Sequence, residues 1–332
     1  MRVTVEANGA RITGWRSVIL VHAFDAISGS FKLSTNDSWS DNVPAARIMP
    51  MDPVRIFAGT QEVITGRAET RDVSLTEESY ETSITGRDLS GWLLEAELTR
   101  GWQVTGGTAA KFLTDVTRGH GLPVKLVGTF PAMAQFSAEA GETLFTVIDR
   151  CARSLGAVAR FDGSSIVLKR PEFRHSGRID KFRGYSVRAS VTDRFGAYVA
   201  AYRGAKTGDK PSVVRELDDQ VHESRTKVLR ADGCRTRDLL TQRARWERNV
   251  RAARSVEINV SLNGWGPSDD AIWRVGDVAR VVLPRENIDA DLVISRATFT
   301  ASNTAGPACD LTLLPDGAFT PDPIDVGSMM GK

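Results

Sequence analysis

Apolar and polar positions change period several times along this chain, and each change marks an element. The sharpest lies around Thr241–Pro284. Leu239, Trp246, Val250 and Ala253 recur at helical intervals of seven, four and three. From Val256 the pattern alternates instead, with Val256, Ile258, Val260 and Leu262 separated by Glu257, Asn259 and Ser261. A basic helix running straight into a half-buried strand is predicted there, then a polar turn and a second strand ending at Pro284.

The rest of the chain falls into blocks. Residues 1–100 carry short β-branched and aromatic runs, with turn signals about every ten residues, the spacing of a sandwich or barrel. Asn8-Gly9 is the two-residue turn of the first hairpin, and Thr35–Pro50, polar with two prolines, reads as an excursion between strands. Thr108 is placed to cap a helix ending at Gly119 or Gly121. Leu144, Val147, Ile148, Cys151 and Leu155 form the stripe of a second helix, stopped at Gly156. A hairpin turning at Asp162-Gly163 follows. Helix, strand, helix and hairpin make a small α+β domain. After a return to β, residues 205–237 are polar, with weak strand signals in SVVREL and TKVL. The end, FTPDPIDVGSMMGK, reads as an extended or disordered tail.

Composition narrows the function classes. A hydrophobic fraction of 41% supports ordinary cores, and a formal charge of +2 argues against a chain that coats a polyanion. Cys151, Cys234 and Cys309 are too far apart for a CxxC pair and suit buried thiols in a reducing compartment. The start, MRVTVEANG, has no signal-peptide pattern, and no run approaches the ~20 apolar residues of a spanning helix, so no membrane anchor is expected. His22, His120, His175 and His222 share no metal-ligand spacing. Gly106–Lys111 lacks the Gly-Lys-Ser/Thr ending of a phosphate loop, and no GxSxG elbow occurs. Glu139 and Glu142 are ordinary helix-start acids. No catalytic residues, metal or cofactor are expected, and the chain does not read as an enzyme.

Arg243, Arg245, Arg248, Arg251 and Arg254 flank the helical stripe. Such a row can engage phosphates, but Glu247 stands four residues before Arg251 and late arginines suit the helix dipole. A solvated or subunit-facing helix is the preferred reading. Trp246, Trp265 and Trp273 either pack a core or anchor an interface. Trp246, Arg248, Arg251, Trp265 and Trp273 are the candidate residues for a subunit or domain interface.

Two segments echo each other. PVRIFAGTQEVITGRAET with SYETSITGRDLSGW is matched by DVARVVLPRENIDADLVISRATFT with ACDLTLLPDGAF. Each runs strand, polar turn, alternating strand, turn, strand, which is compatible with a duplication or with any two antiparallel meanders.

Five ordered stretches carry a resemblance: GWRSVILVHAFDAISGSFKLSTND; VITGRAETRDVSLTEESYETSITGRDLSGWLLEAE, closed by Gly86-Arg87-Asp88; GETLFTVIDRCARSLGAVARFDG; RARWERNVRAARSVEINVSLNGW with IWRVGD; and LTLLPDGAF. In order and spacing they resemble the Mu-like phage baseplate hub family, related to late control protein D and to the hub part of type VI secretion spike proteins. The resemblance implies a mainly β fold with α+β insertions: two tube-like antiparallel β-barrel domains, a small α/β domain and an inserted excursion. The corresponding boundaries are 1–100 (first barrel), 101–177 (small domain), 178–204 with 255–320 (second barrel), 205–254 (excursion and basic helix) and 321–332 (tail). It further implies a homotrimeric ring in the virion tail, made in the host cytoplasm. Such a ring joins a six-fold tail tube above to a three-fold spike below, with wedge or peripheral proteins outside. DNA traverses it without sequence recognition. The alternatives are a hub of a contractile secretion or bacteriocin device, or a peptidoglycan-active or nucleic-acid-binding tail protein. The chain lacks a lysozyme-like insertion, which weakens the peptidoglycan reading.

Overall fold

The computed structural model of the chain describes residues 2–12, 14–35, 47–77, 80–202, 212–230 and 236–320. Most of the Thr35–Pro50 excursion, parts of 205–237 and the 321–332 tail therefore lie outside the described residues. The chain divides into two compact units. One comprises Met1–Trp92, Phe173–Ser186 and Ile258–Leu313, and the other Leu93–Glu172, Val187–Glu257 and Leu314–Lys332.

The first unit begins with β1 (Val3–Ala7), β2 (Ala10–Ile12), β3 (Trp15–Ala23), β4 (Ser30–Thr35), β5 (Pro53–Ala58), β6 (Gln61–Leu75) and β7 (Tyr80–Asp88). The Asn8-Gly9 turn forms as its sequence dictates. Both residues take positive φ (51° and 76°), which gives the primed turn that fits a twisted hairpin, and Ala7 faces Ala10.

The second unit opens with β8 (Trp102–Gly107), α1 (Ala109–Val116), β9 (Val124–Val127), β10 (Met133–Ala138), α2 (Leu144–Ser154), β11 (Val158–Phe161) and β12 (Ile166–Lys169). Thr108 Oγ1 accepts from Lys111 N at 3.3 Å, and Thr143 Oγ1 from Thr146 N at 3.2 Å, so both helices start on the side-chain caps their sequences offer. The stripe of α2, from Leu144 to Cys151, is buried.

Chain order then continues with β13 (Arg174–Ile179), β14 (Gly184–Ala189), β15 (Ala197–Tyr202), β16 (Ser212–Leu217), β17 (Thr226–Arg230), α3 (Arg237–Arg254), β18 (Val256–Asn263), β19 (Asp277–Leu283), β20 (Ile288–Ser302) and β21 (Gly306–Leu314). The weak strand signals of SVVREL and TKVL become β16 and β17, paired to either side of β15. Ala197–Tyr202 thus belongs to this small sheet rather than to a sheet with the 255–320 strands.

The fold is mainly β. Its largest sheet has 13 strands, ordered β14-β18-β21-β20-β3-β4-β7-β6-β5-β1-β2, with β19 joining β20 and β13 joining β19. Among the described residues no sheet closes into a barrel. The N- and C-terminal β blocks meet at β3 and β20, where Ile19 faces Thr300 and Val21 faces Thr298. Alternation sends Val18, Leu20, Leu33, Ile56, Ile84 and Phe299 to one buried face. The echoing segments form two meanders of nearly equal shape. β5, β6 and β7 have 6, 15 and 9 residues, and β19, β20 and β21 have 7, 15 and 9.

Gly86-Arg87-Asp88 ends β7 with a latch. Arg87 Nε donates to Glu69 at 2.7 Å. The buried Asp88 carboxylate accepts from Gly29 N at 2.6 Å, from Ser28 Oγ at 3.0 Å, and from Ser90 N and Oγ at 2.9 and 2.6 Å. Burial pushes its pKa up despite these bonds.

Candidate assembly interface

α3 is built from good helix formers and opens at Thr236, whose Oγ1 accepts from Leu239 N at 3.2 Å. Asp238 lies in its first turn and Arg251 and Arg254 in its last, which suits the helix dipole. The face it buries is Leu240, Ala244, Glu247 and Val250, turned from the Leu239, Trp246, Val250, Ala253 stripe. Leu240 and Ala244 pack on Tyr198 and Ala200 of β15, Val214 of β16 and Leu229 of β17, with Phe195 and Leu239 at the margin.

A charged residue can sit on that buried face because arginines neutralise it. Glu247 is held by Arg251 Nε at 2.7 Å and by Arg243 at 3.6 Å. Glu216 of β16 receives Arg245 Nε at 3.1 Å and Arg248 at 3.4 Å. Arg251 also donates to the Asp193 carbonyl at 2.8 Å, and Arg254 to the Ala318 carbonyl at 3.4 Å. Beside them, Arg194 grips the buried Asp218 through two bonds of 2.5 and 2.9 Å. Burial works to raise the Asp218 pKa, but Arg194 and the Gln220 amide outweigh it and leave the carboxyl below its ordinary value. Every arginine flanking α3 therefore has a partner inside the chain.

Trp246 stands at the rim, half-buried. Its Nε1 donates to the Thr320 carbonyl at 2.7 Å, and the Arg243 guanidinium lies 4.5 Å from its ring centroid. Together with Val250, Arg251, Arg254, Arg188 and Asp193 it borders a cleft of about 310 Å³. The cleft mixes both charge signs with one aromatic edge, chemistry suited to protein contact. Among the described residues no cluster of three His, Cys, Asp or Glu is arranged to hold a metal ion.

The other two tryptophans lie elsewhere. Trp265 is 0% exposed, donates to the Thr300 carbonyl at 2.8 Å and leans on Phe299 at 5.4 Å. Trp273 is 3% exposed and covers Gly177. Both indoles are used in packing within the chain, so core packing replaces interface anchoring for this pair. Trp246 and Arg251 both border the α3 cleft, whereas Arg248 turns to Glu216 of β16. The sequence reading missed a second exposed cluster, Met49, Met51, Arg67 and Trp92, where the Arg67 guanidinium lies 5.5 Å from the Trp92 ring. An arginine and a tryptophan 25 positions apart in sequence gave no local signal of this.

Comparison with known proteins places the fold. Residues 2–88 match the family model of the Mu phage baseplate assembly protein GpP-like N-terminal domain. Residues 236–322 match that of the fourth domain of Mu phage baseplate assembly protein GpP. The chain is 23% identical over 340 residues to the baseplate hub protein gp44 of Escherichia phage Mu, covering 96% of this chain and 88% of that protein. Its fold matches the 43 kDa tail protein of prophage MuSo2 from Shewanella oneidensis with a TM-score of 0.84 at 18% identity, over 95% of this chain and 98% of that one. A tail protein from Neisseria meningitidis MC58 matches with a TM-score of 0.77 at 19% identity, over 97% and 98%. The fold is the one these phage tail proteins share. More particularly, the chain belongs to the Mu-like phage baseplate hub family, and its role is a structural one in the baseplate.

Proposed function

We propose that three copies of this chain close into a ring at the end of the tail tube. The observation that carries this reading is the pair of meanders with matching strand lengths, β5–β7 and β19–β21. Each is one tube-like module, so a trimer offers six related modules to a six-fold tube and three equivalent sites to a spike. The large sheet supports the same reading. Its path ends at β2 and β14, each paired on one side only among the described residues, and open edges invite pairing with another chain. A rotational, head-to-tail contact covers those edges, completes the barrels between subunits and leaves a central channel for DNA. The arginines of α3 are each held by a carboxylate or a carbonyl of the same chain, an arrangement that does not favour reading a DNA sequence. Trp246 and Arg251, at the rim of the α3 cleft, and Arg248 beside Glu216, face a neighbouring subunit or a peripheral baseplate protein. Sedimentation of the purified chain is expected to give three times the 36.2 kDa chain mass, with the spike's mass added when the spike is bound, and electron microscopy a ring with a central hole. A monomer in assembled tails would overturn the reading.

A further inference from the structure

The middle of strand β6 and its C-terminal end carry surfaces of opposite character, both within the first unit. Beside the middle of the strand a turn is held outward. Met51 takes a φ of 78°, a conformation a bulky side chain pays strain to adopt. It is held by its own N–H donating to Ala68 O at 2.7 Å and by Arg67 donating to its carbonyl at 2.8 Å. Asp52 fixes the rest of the turn, accepting from Met49 N at 2.8 Å and Asn8 Nδ2 at 2.7 Å, bonds that keep its carboxyl below the ordinary value. The result presents Met51, 54% exposed, and Trp92, 44% exposed, on either side of Arg67. No carboxylate neutralises Arg67 among the described residues, and its Nε is buried without an acceptor.

At its C-terminal end β6 pairs with β7 as far as Leu75 and Tyr80, two rungs beyond the Val73–Thr82 rung, where Thr35 is the last residue of β4; this end of the ladder is the β6–β7 arm. Val73 and Leu75 are exposed, Leu75 by 76%. Asp72 and Glu77 flank them, and neither has an ion-pair partner among the described residues. The middle of β6 is thus apolar and cationic, and its C-terminal end apolar and anionic. About eight residues at about 3.3 Å each separate Arg67 from Leu75, roughly 25 Å. A single chain cannot bring two such distant points of one strand together, but a second copy can.

We infer that the β6–β7 arm of one copy docks on the Met51–Arg67–Trp92 surface of the next. Val73 and Leu75 cover the methionines and the indole, and Asp72 or Glu77 supplies the carboxylate that Arg67 lacks. Tryptophan and arginine in a pre-formed apolar patch are what interface hot spots are made of. Because two different surfaces meet, the contact is head-to-tail and propagates around an axis, which a two-fold contact does not. This inference rests on the ring reading above and names the surface that closes it.

Cysteine pairing tests it in full-length chains with Cys234→Ser. Cys151 and Cys309 are buried and do not interfere. Oxidising a mixture of Met51→Cys chains and Leu75→Cys chains is expected to give a mixed covalent dimer. Neither variant alone should give one, and a chain carrying both should give a ladder ending at the ring. Arg67→Glu should raise the assembly midpoint at least tenfold, and Asp72→Lys with Glu77→Lys should restore it. An intact oligomer without the mixed disulfide would overturn this contact while leaving the ring reading standing. Absence of any oligomer, with the spike or in tails, would overturn both.

Discussion

Gly86 is one of the tightly packed points of the large sheet that a single methyl group can test. It lies in β7, opposite Phe31 of β4 and Ala68 of β6. A Cβ at this position would stand 2.1 Å from the Arg67 carbonyl oxygen and 2.5 Å from the edge of the Phe31 ring. The carbonyl belongs to the β6 backbone and cannot retreat without opening the ladder. The ring is 3% exposed and can swing only into occupied core. Overpacking costs about 1–3 kcal/mol, and two immovable neighbours put Gly86→Ala at the top of that range. Relief of glycine's strand entropy offsets about 0.5–1 kcal/mol, leaving about 2 kcal/mol. At about 2–4 °C per kcal/mol for a unit of this size, scanning calorimetry of the full chain should show one transition lowered by about 4–8 °C. Gly184→Ala is the control, since nothing lies within 4 Å of its added methyl and its transition should stay in place or rise slightly. An unshifted transition for Gly86→Ala would show that the sheet breathes at β4–β7 far more than its packing implies.

Three further outcomes follow from single sites. Trp246→Ala removes the bond to the Thr320 carbonyl and the Arg243 stack from a half-buried ring, and urea titration should show a loss of about 2 kcal/mol, below the ~3 kcal/mol of a fully buried tryptophan. Arg194→Ala leaves Asp218 charged and buried, with an expected cost of about 3–5 kcal/mol at neutral pH; Arg194→Ala with Asp218→Ala should recover part of it. Asp162 is partly buried, which raises its pKa, but bonds from Ser164 and Ser165 outweigh this and hold the carboxyl down to about 2. Its folded value lies below the unfolded value of about 3.9, so its contribution is present above pH 4 and lost as pH falls towards 2. Because it is partly exposed, the effect of Asp162→Ala should be at most about 1 kcal/mol at pH 6 and vanish near pH 2, as read by denaturant midpoints.

Elements whose cause is local were legible in the sequence. The Asn8-Gly9 turn and the Thr108 cap need only neighbouring residues, and each forms where its chemistry places it. The stripe of α3 was misjudged because Glu247 looks like a surface residue until Arg243 and Arg251 are seen to neutralise it. Trp265 and Trp273 carried no mark separating core from interface, since a buried indole and a hot-spot indole have the same local sequence. The pairing of β3 with β20 joins residues some 280 positions apart, and no periodicity within either strand encodes which partner it takes. The Met51 turn was invisible for the opposite reason: a positive φ at a methionine contradicts local preference and is imposed by Arg67 and Asp52.

The arginines of α3 decide between two kinds of surface, because a basic helix attracts a polyanion only while its cations are unspent. Arg245 and Arg248 share Glu216, Arg243 and Arg251 share Glu247, and Arg254 rests on a backbone carbonyl. Phosphate binding there would have to displace these carboxylates and would release few counterions. A surface that neutralised four phosphates would lose about a hundredfold in DNA affinity between 50 and 200 mM salt. This helix should instead show weak binding that changes little over that range, and Arg245→Ala with Arg248→Ala should lower stability by freeing Glu216 rather than lower DNA affinity. Tight, steeply salt-dependent DNA binding that the double substitution abolished would show that these pairs open on contact, and would assign the helix to the nucleic acid rather than to the protein around it.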